Sequence, residues 1–405
     1  MAIVRRTTRR EFLAAGAGGV AGAALLSACS RSRPPAAGNA GSAPLVTRTL
    51  GRTGLKLPVV SVGSAYEAGL VRAALDAGLT YIHTSGSYAD QNHERMLNRV
   101  FRGRSRDSFV VGSSPDLPYR VEPGRLSEDL GTSADPAAIE ASLHGSLERL
   151  GLETIDIYYL ASINEPATVL HEPYIRAFEA LKRKGKVRFT GIATHRNEPA
   201  VIRAAAKSGF WDVVLTAYNF RQSHRDQVRA AIREAAGAGF GILAMKTQAG
   251  VYWDSTRRRK INMKAALKWV LQDENVHTTI PAFSNYDQLE EDLAVARDPL
   301  MRPEEERDLR LGEQAGLAGL YCQQCARCLP QCPEGVQVPT LMRGYMYAVG
   351  HGQPQHARHV LRAWTPSDIA CTRCEDCRVQ CALGFDVRTR ARDLARLLGP
   401  ACVLT

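Results

Sequence analysis

The chain has 405 residues, of which 45% are hydrophobic and 23% charged, the profile of a folded protein and not of a long disordered tail. Its formal net charge of +11 comes mostly from arginine, without a stripe of arginines interleaved with aromatics. That pattern argues against nucleic-acid binding and leaves an anionic lipid surface or an acidic partner protein as the targets of a basic face.

The first predicted element is an address. Residues 1–28 open with Arg5, Arg6, Arg9 and Arg10 and continue as an apolar, small-residue run from Phe12 to Ala28. The run is too short for the ~20 residues of a membrane-spanning helix. Thr8-Arg9-Arg10-Glu11-Phe12-Leu13 resembles the twin-arginine export signature, and Leu26-Ser27-Ala28-Cys29 resembles a lipobox in which Cys29 is lipidated. An uncleaved apolar anchor is the alternative. Residues 29–45 are rich in Ser, Pro, Ala and Gly and are expected to form a flexible tether. The expected location is the extracytoplasmic side of a membrane, reached by the twin-arginine route.

From residue 46 to 305 the chain alternates short apolar runs with helical patterns. The expected strands are Val59–Gly63, Thr80–Thr84, Phe109–Ser113, Ile155–Leu160, Arg188–Ala193, Val213–Ala217, Gly241–Met245 and Thr278–Pro281. Helices are expected between them, for example at Ala138–Leu150, Tyr174–Arg183 and Arg225–Ala236. Such alternation implies a parallel sheet, and eight units imply an α/β fold closed as a (β/α)₈ TIM barrel. An open doubly wound sheet is the alternative, but no G-x-G-x-x-G follows an early strand. Val46 to Pro58 suits a hairpin capping the barrel floor.

Several stretches of this region resemble the aldo/keto reductase family. They are Thr47-Arg48-Thr49-Leu50-Gly51-Arg52-Thr53-Gly54-Leu55, Ser146-Leu147-Glu148-Arg149-Leu150-Gly151, Ile155-Asp156-Ile157-Tyr158, Gly185-Lys186-Val187-Arg188 and Ile280-Pro281-Ala282-Phe283-Ser284-Asn285. The resemblance implies hydride transfer from a nicotinamide cofactor to a carbonyl, performed by a tyrosine, a lysine, an aspartate and a histidine. Tyr88 stands at the tyrosine position. His83, Ser114 and Ala161 stand at the aspartate, lysine and histidine positions, so three of the four roles are vacant. An untuned tyrosine has a pKa of ~10 and is a poor acid near neutrality. His83, His195 and Lys246 lie at or just past strand ends, where barrel chemistry occurs. His83 beside Tyr88 could relay protons, and Lys246 could supply the missing cation; the alternative is that all three are solvated or hydrogen-bonded rim residues.

The resemblance also implies a site for the adenine-ribose phosphate end of NAD(P), to which Ser284, Asn285, Gln288 and Glu291 correspond. The family's glycine is Ala282 here, its final asparagine is Asp292, and the serine–asparagine pair that holds the carboxamide reads Ala193-Thr194.

Ten cysteines are distributed very unevenly: Cys29, eight between Cys322 and Cys381, and Cys402. None lies in the barrel region, which argues against a disulfide framework and for a metal site at one end. Cys322, Cys325, Cys328 and Cys332, followed by Pro333, form a complete C-x₂-C-x₂-C-x₃-C-P run, and Cys371, Cys374, Cys377 and Cys381 repeat its spacing with Ala382 in place of the proline. This is the bacterial ferredoxin pattern, in which the fourth cysteine of each run serves the other cluster. Cys322, Cys325, Cys328 and Cys381 are thus expected to hold one [4Fe–4S] cluster, and Cys371, Cys374, Cys377 and Cys332 the second. Structural zinc is the alternative, but zinc sites favour two separated ligand pairs. Val338 to Ala348 and Gln355 to Trp364 have helical patterns, so residues 306–405 are expected to form a small, mainly helical ferredoxin-type domain.

Together these expectations describe a lipid-tethered iron–sulfur oxidoreductase whose barrel mouth binds an organic cofactor or small-molecule substrate and exchanges electrons with two clusters and a partner protein. The alternative is an electron-transfer or docking protein with a degenerate barrel site.

Overall fold

The computed structural model describes residues 43–399, apart from 118–120, 123–124, 127–129, 133–134, 255, 316–318, 363, 365–368, 370 and 372–373. The export segment with Cys29, most of the expected tether, and Cys402 lie outside the described residues. Leu45, assigned to the tether, already packs against the barrel core, and the Val46 N–H donates to the Ala296 carbonyl at 2.8 Å.

Strands β1 (Thr47–Thr49) and β2 (Lys56–Pro58) pair antiparallel into the expected floor hairpin. Arg48 anchors it, donating to the carbonyls of Leu271 at 2.9 Å and Asp273 at 3.1 Å. Between the strands, Gly51 has φ +47°, and a side chain there would collide with the backbone of Gly239 and Phe240. Only glycine combines that conformation with that approach.

The barrel wall is a curled parallel sheet. Its strands are β3 (Tyr81–His83), β4 (Val110–Ser113), β7 (Ile155–Leu160), β8 (Val187–Thr194), β9 (Val213–Ala217), β10 (Gly241–Met245) and β11 (Thr278–Thr279), neighbouring one another in chain order. A short antiparallel pair, β5 (Val121–Glu122) and β6 (Arg125–Leu126), lies in the connection after β4. Residues 59–62 join the two sheet edges by single parallel bridges, Val60 to Thr279 and Val62 to Ile82. The expected first strand therefore closes the ring without a full ladder, and the last strand ends two residues early, where Pro281 has no N–H to donate.

Buried carboxylates brace the wall. Asp156 on β7 accepts from the Val111 N–H at 2.8 Å, Arg106 at 2.7 Å and Arg188 at 2.6 Å, and has no exposed side-chain surface. Glu94, equally buried, accepts from Arg149 Nε at 2.7 Å and Ser113 Oγ at 2.9 Å. Charges this deep persist only when paired.

Helix Pro303–Gln314 spans the expected division between residues 305 and 306 and docks on helix Met263–Leu271, with Lys268 Nζ 3.0 Å from Glu305 and Asn262 donating to Asp308 at 3.0 Å. Gly312 lies flat against the Trp253 indole. Beyond it, helices Val338–Tyr345, Pro354–Val360 and Val387–Leu398 pack around a second apolar core. A π-turn at Met346–Gly350 continues the first of these, so helical structure runs through the expected Val338–Ala348 stretch. This core includes Leu341, Met342, Met346, Leu361 and Leu394 together with Phe220, Trp253, Ala265 and Ala266 of the barrel side. The C-terminal module is thus packed onto the barrel through shared apolar surface. No helix among the described residues is long and apolar enough to cross a membrane.

Candidate functional site

The C-terminal ends of the barrel strands surround a cavity of about 170 Å³. Tyr88, His83, His195 and Lys246, picked out from strand ends in the sequence, all line it, as do Ser114 and Ala161. His83 is buried at the end of β3; Tyr81 Oη lies 3.3 Å from its Nδ1 and 2.9 Å from Tyr159 Oη. Lys246 follows β10 with φ +59°, held there by Asn219 Nδ2, which donates to its carbonyl at 3.1 Å. Strained non-glycine backbone of this kind concentrates at functional sites. The Lys246 ammonium sits 5.0 Å from the centre of the Tyr347 ring.

Tyr347 belongs to the other half of the chain. Residues between Thr340 and Trp364 form a roof over the barrel mouth. Two hydrogen-bonded pairs are among the contacts that fix it. Tyr66 Oη lies 2.7 Å from His356 Nδ1, and Ser87 Oγ lies 3.1 Å from His359 Nε2 and 2.8 Å from Ser85 Oγ. The Tyr88 ring meets His356 edge-on at 5.3 Å and His359 at 5.5 Å. Burial holds the Tyr66 hydroxyl far above the usual tyrosine range, so it stays protonated. Burial also lowers the imidazoles: His83 and His359 to about 3, His351 to about 4, and His195 and His356 well below their ordinary value. Lys246 adds to this at His83, His195, His351 and His356. The mouth therefore presents neutral imidazoles beside fixed cations.

All eight cysteines of the two runs are free thiols. Cys332, Cys371, Cys374 and Cys377 ring one small cavity, the set expected from the crossing rule. Cys381 joins the other set: burial pushes the Cys322 thiol up to about 12, opposed by the Gln324 N–H and reinforced by Cys328, Cys381 and Cys325. For Cys371, burial raises the thiol to about 11, with Cys332, Cys377 and Cys374 adding to it. Among the described residues no three His, Cys, Asp or Glu side chains converge on a single ion position. A further small cavity is lined by Cys322, Tyr321, His195, Lys246 and Arg343, so the first set abuts the barrel mouth.

Residues 50–265 match the aldo/keto reductase family. The chain belongs to that family. It is 28% identical over 167 residues to L-glyceraldehyde 3-phosphate reductase of Escherichia coli K12, covering 37% of this chain and 46% of the relative. It is 27% identical over 221 residues to D-threo-aldose 1-dehydrogenase of a Pseudomonas species, covering 47% and 66%. The chain thus matches about half to two thirds of the length of these curated relatives. The holo form of an aldo-keto reductase from Bacillus halodurans has the same fold, with a TM-score of 0.52 at 19% identity over 66% of this chain and 96% of that one.

Aldo/keto reductases commonly use NAD(P). In this member the corresponding residues are engaged within the protein, three of them with one another. The Ser284 N–H and hydroxyl donate to Gln288 Oε1 at 2.7 and 3.2 Å, Asn285 Oδ1 caps the helix by accepting from the Gln288 N–H, and Glu291 lies 4.0 Å from Lys260. None of the four lines the mouth cavity. Burial, with Glu291 adding to it, holds the Asp292 carboxyl well above the usual carboxylate range; its neutral form resembles the family's asparagine in charge. A cavity of about 170 Å³ is below the roughly 300–1,000 Å³ typical of ligand pockets, and a dinucleotide is larger than most ligands. With the roof in place, this cavity by itself is smaller than a dinucleotide.

The roof was not foreseen from the sequence. The available signal was composition: His351, His356 and His359 fall within residues 351–359, a concentration unmatched elsewhere among the ten histidines. Arg343 and Tyr347 carried no comparable signal.

Proposed function

We propose that this aldo/keto reductase is an exported iron–sulfur oxidoreductase in which the barrel mouth binds a small-molecule substrate and exchanges electrons with two [4Fe–4S] clusters. The observation that carries the reading is the common cavity of Cys322 with His195, Lys246 and Arg343, three residues that also line the mouth. Cys322, Cys325, Cys328 and Cys381 would hold the inner cluster, and Cys371, Cys374, Cys377 and Cys332 the outer one. The clusters supply or accept single electrons. The outer set is lined by no barrel residue, which suits exchange with a partner protein.

The chain's own side chains then have definable work. The roof excludes water. Tyr66 fixes the orientation of the His356 ring through its Nδ1. Ser87 and Ser85 continue from His359 as a hydroxyl chain. Lys246 provides a fixed positive charge where the family has its lysine on another strand. Three vacant family positions favour a second reading, an electron-transfer or docking protein whose barrel is a scaffold.

An anaerobic reductive titration separates the sources of electrons. Dithionite should reduce both clusters, while NADPH should reduce neither and show no binding. Reduction by NADPH at a catalytic rate would overturn the nicotinamide-independent reading. Export and a lipid anchor at Cys29 belong to the same proposal, since the twin-arginine route carries folded proteins and spares eight thiols from mispairing in an oxidising compartment.

A further inference from the structure

The roofed mouth has an electrostatic character that its fold does not require. Lys246 and Arg343 line it, and no Asp or Glu is among its described lining residues. Arg362 also lines it but is neutralised by Asp116 at 2.8 Å. Lys246 Nζ has no carboxylate partner among the described residues, only the Tyr347 ring face. Two roof atoms are buried without a hydrogen-bond partner: Thr340 Oγ1 and Gln353 Oε1. Both residues line this cavity. A buried polar atom left unmatched costs about 1–3 kcal/mol, which a matching ligand recovers.

We propose that this cavity binds a compact hydroxycarboxylate. The carboxylate answers Lys246 and Arg343 and accepts from the Thr340 hydroxyl. A ligand hydroxyl donates to Gln353 Oε1. Size sets the upper limit, because a cavity of about 150 Å³ accommodates benzene, and this one is about 170 Å³. A negative charge is matched by side chains from two halves of the chain, Lys246 from the barrel and Arg343, Thr340 and Gln353 from the roof. The site exists only when the C-terminal module is seated. The imidazoles around it are uncharged, and Lys246 meets no carboxylate among the described residues. The inference rests on the reading of the mouth as the substrate site.

The test is calorimetric titration of anaerobically purified, full-length protein with L-lactate, D-lactate and glycerate, using glycerol as the uncharged control. The same sample is assayed for iron. At least one hydroxycarboxylate should bind while glycerol does not, and Lys246→Met should weaken binding about tenfold or more, as expected for loss of a charge-assisted bond. Thr340→Val should weaken it by a smaller, separate factor of about fivefold. No binding by any of the three acids, equal binding of glycerol, or unchanged affinity in both variants would overturn the proposal. If the acids fail to bind to protein holding its full iron content, the ligand class is wrong and the cluster reading stands. If they bind to protein without iron, the cluster reading fails alone.

Discussion

The Gln331 side-chain amide holds both backbone groups of Gln380: its Oε1 accepts from the Gln380 N–H at 2.7 Å, and its Nε2 donates to the Gln380 carbonyl at 3.4 Å. Each residue immediately precedes the fourth cysteine of its run, Cys332 and Cys381. The clamp therefore ties together the backbone just before the two cysteines that the proposal assigns to each other's clusters.

Gln331→Ala should loosen that exchange without removing a ligand. Two partly exposed bonds are worth about 1–2 kcal/mol, so local opening should rise up to ~10-fold. Bleaching of the cluster absorbance in air should accelerate by a similar factor. An unchanged bleaching rate would mean the clamp does not govern cluster retention.

Arg149→Met should be severe. It leaves the Glu94 carboxylate with Ser113 alone in a site without solvent, and breaking a buried pair costs roughly 3–5 kcal/mol. Chemical denaturation should reveal a loss of that size. Replacing both residues, with Glu94→Gln added, should restore part of it; a single variant as stable as the wild type would contradict the account.

Acid should destabilise the barrel through His93. Burial lowers its pKa to about 4, against the opposing bond to the Ala65 carbonyl, while Thr84 Oγ1 lies 2.7 Å from its other nitrogen. The aromatic rings of Tyr66 and Tyr88 face it, and His83 lies close enough to be influenced by its charge. A group depressed in the folded state contributes stability above its unfolded pKa of about 6.5 and loses it as pH falls toward the folded value. Between about pH 7 and pH 5 the loss from this one group should approach 2 kcal/mol. Urea midpoints of wild type and His93→Gln should converge as pH falls; parallel curves would count against a neutral buried His93.

The export proposal has its own tests. Cys29→Ala should release the protein from membranes, and retention after a salt wash would refute the lipid anchor. Arg9→Lys combined with Arg10→Lys should leave the protein in the cytoplasm, which normal export would refute.

Much of the barrel was legible because its strands are buried on both faces and bounded by polar turns. Ile155–Leu160, Val213–Ala217 and Gly241–Met245 occupy the expected residues. The stretches that resemble the family turned out to carry scaffolding: Arg48 holds the floor hairpin, Arg188 pairs with Asp156 and Arg149 with Glu94. They announce the fold and say little about chemistry. The mouth residues Tyr88, His83, His195 and Lys246 were legible from strand ends, since the fold itself delivers those positions to one place. The roof was not, because Tyr66 and His356 are 290 residues apart and no local pattern records such a contact.

The most direct measurement of the central claim is iron and acid-labile sulfide content of anaerobically purified protein, with low-temperature electron paramagnetic resonance after reduction. The account predicts about eight irons and eight sulfides per chain, with two interacting signals. Zinc in place of iron would contradict it and leave a barrel with three of its family's four catalytic positions vacant and no electron path.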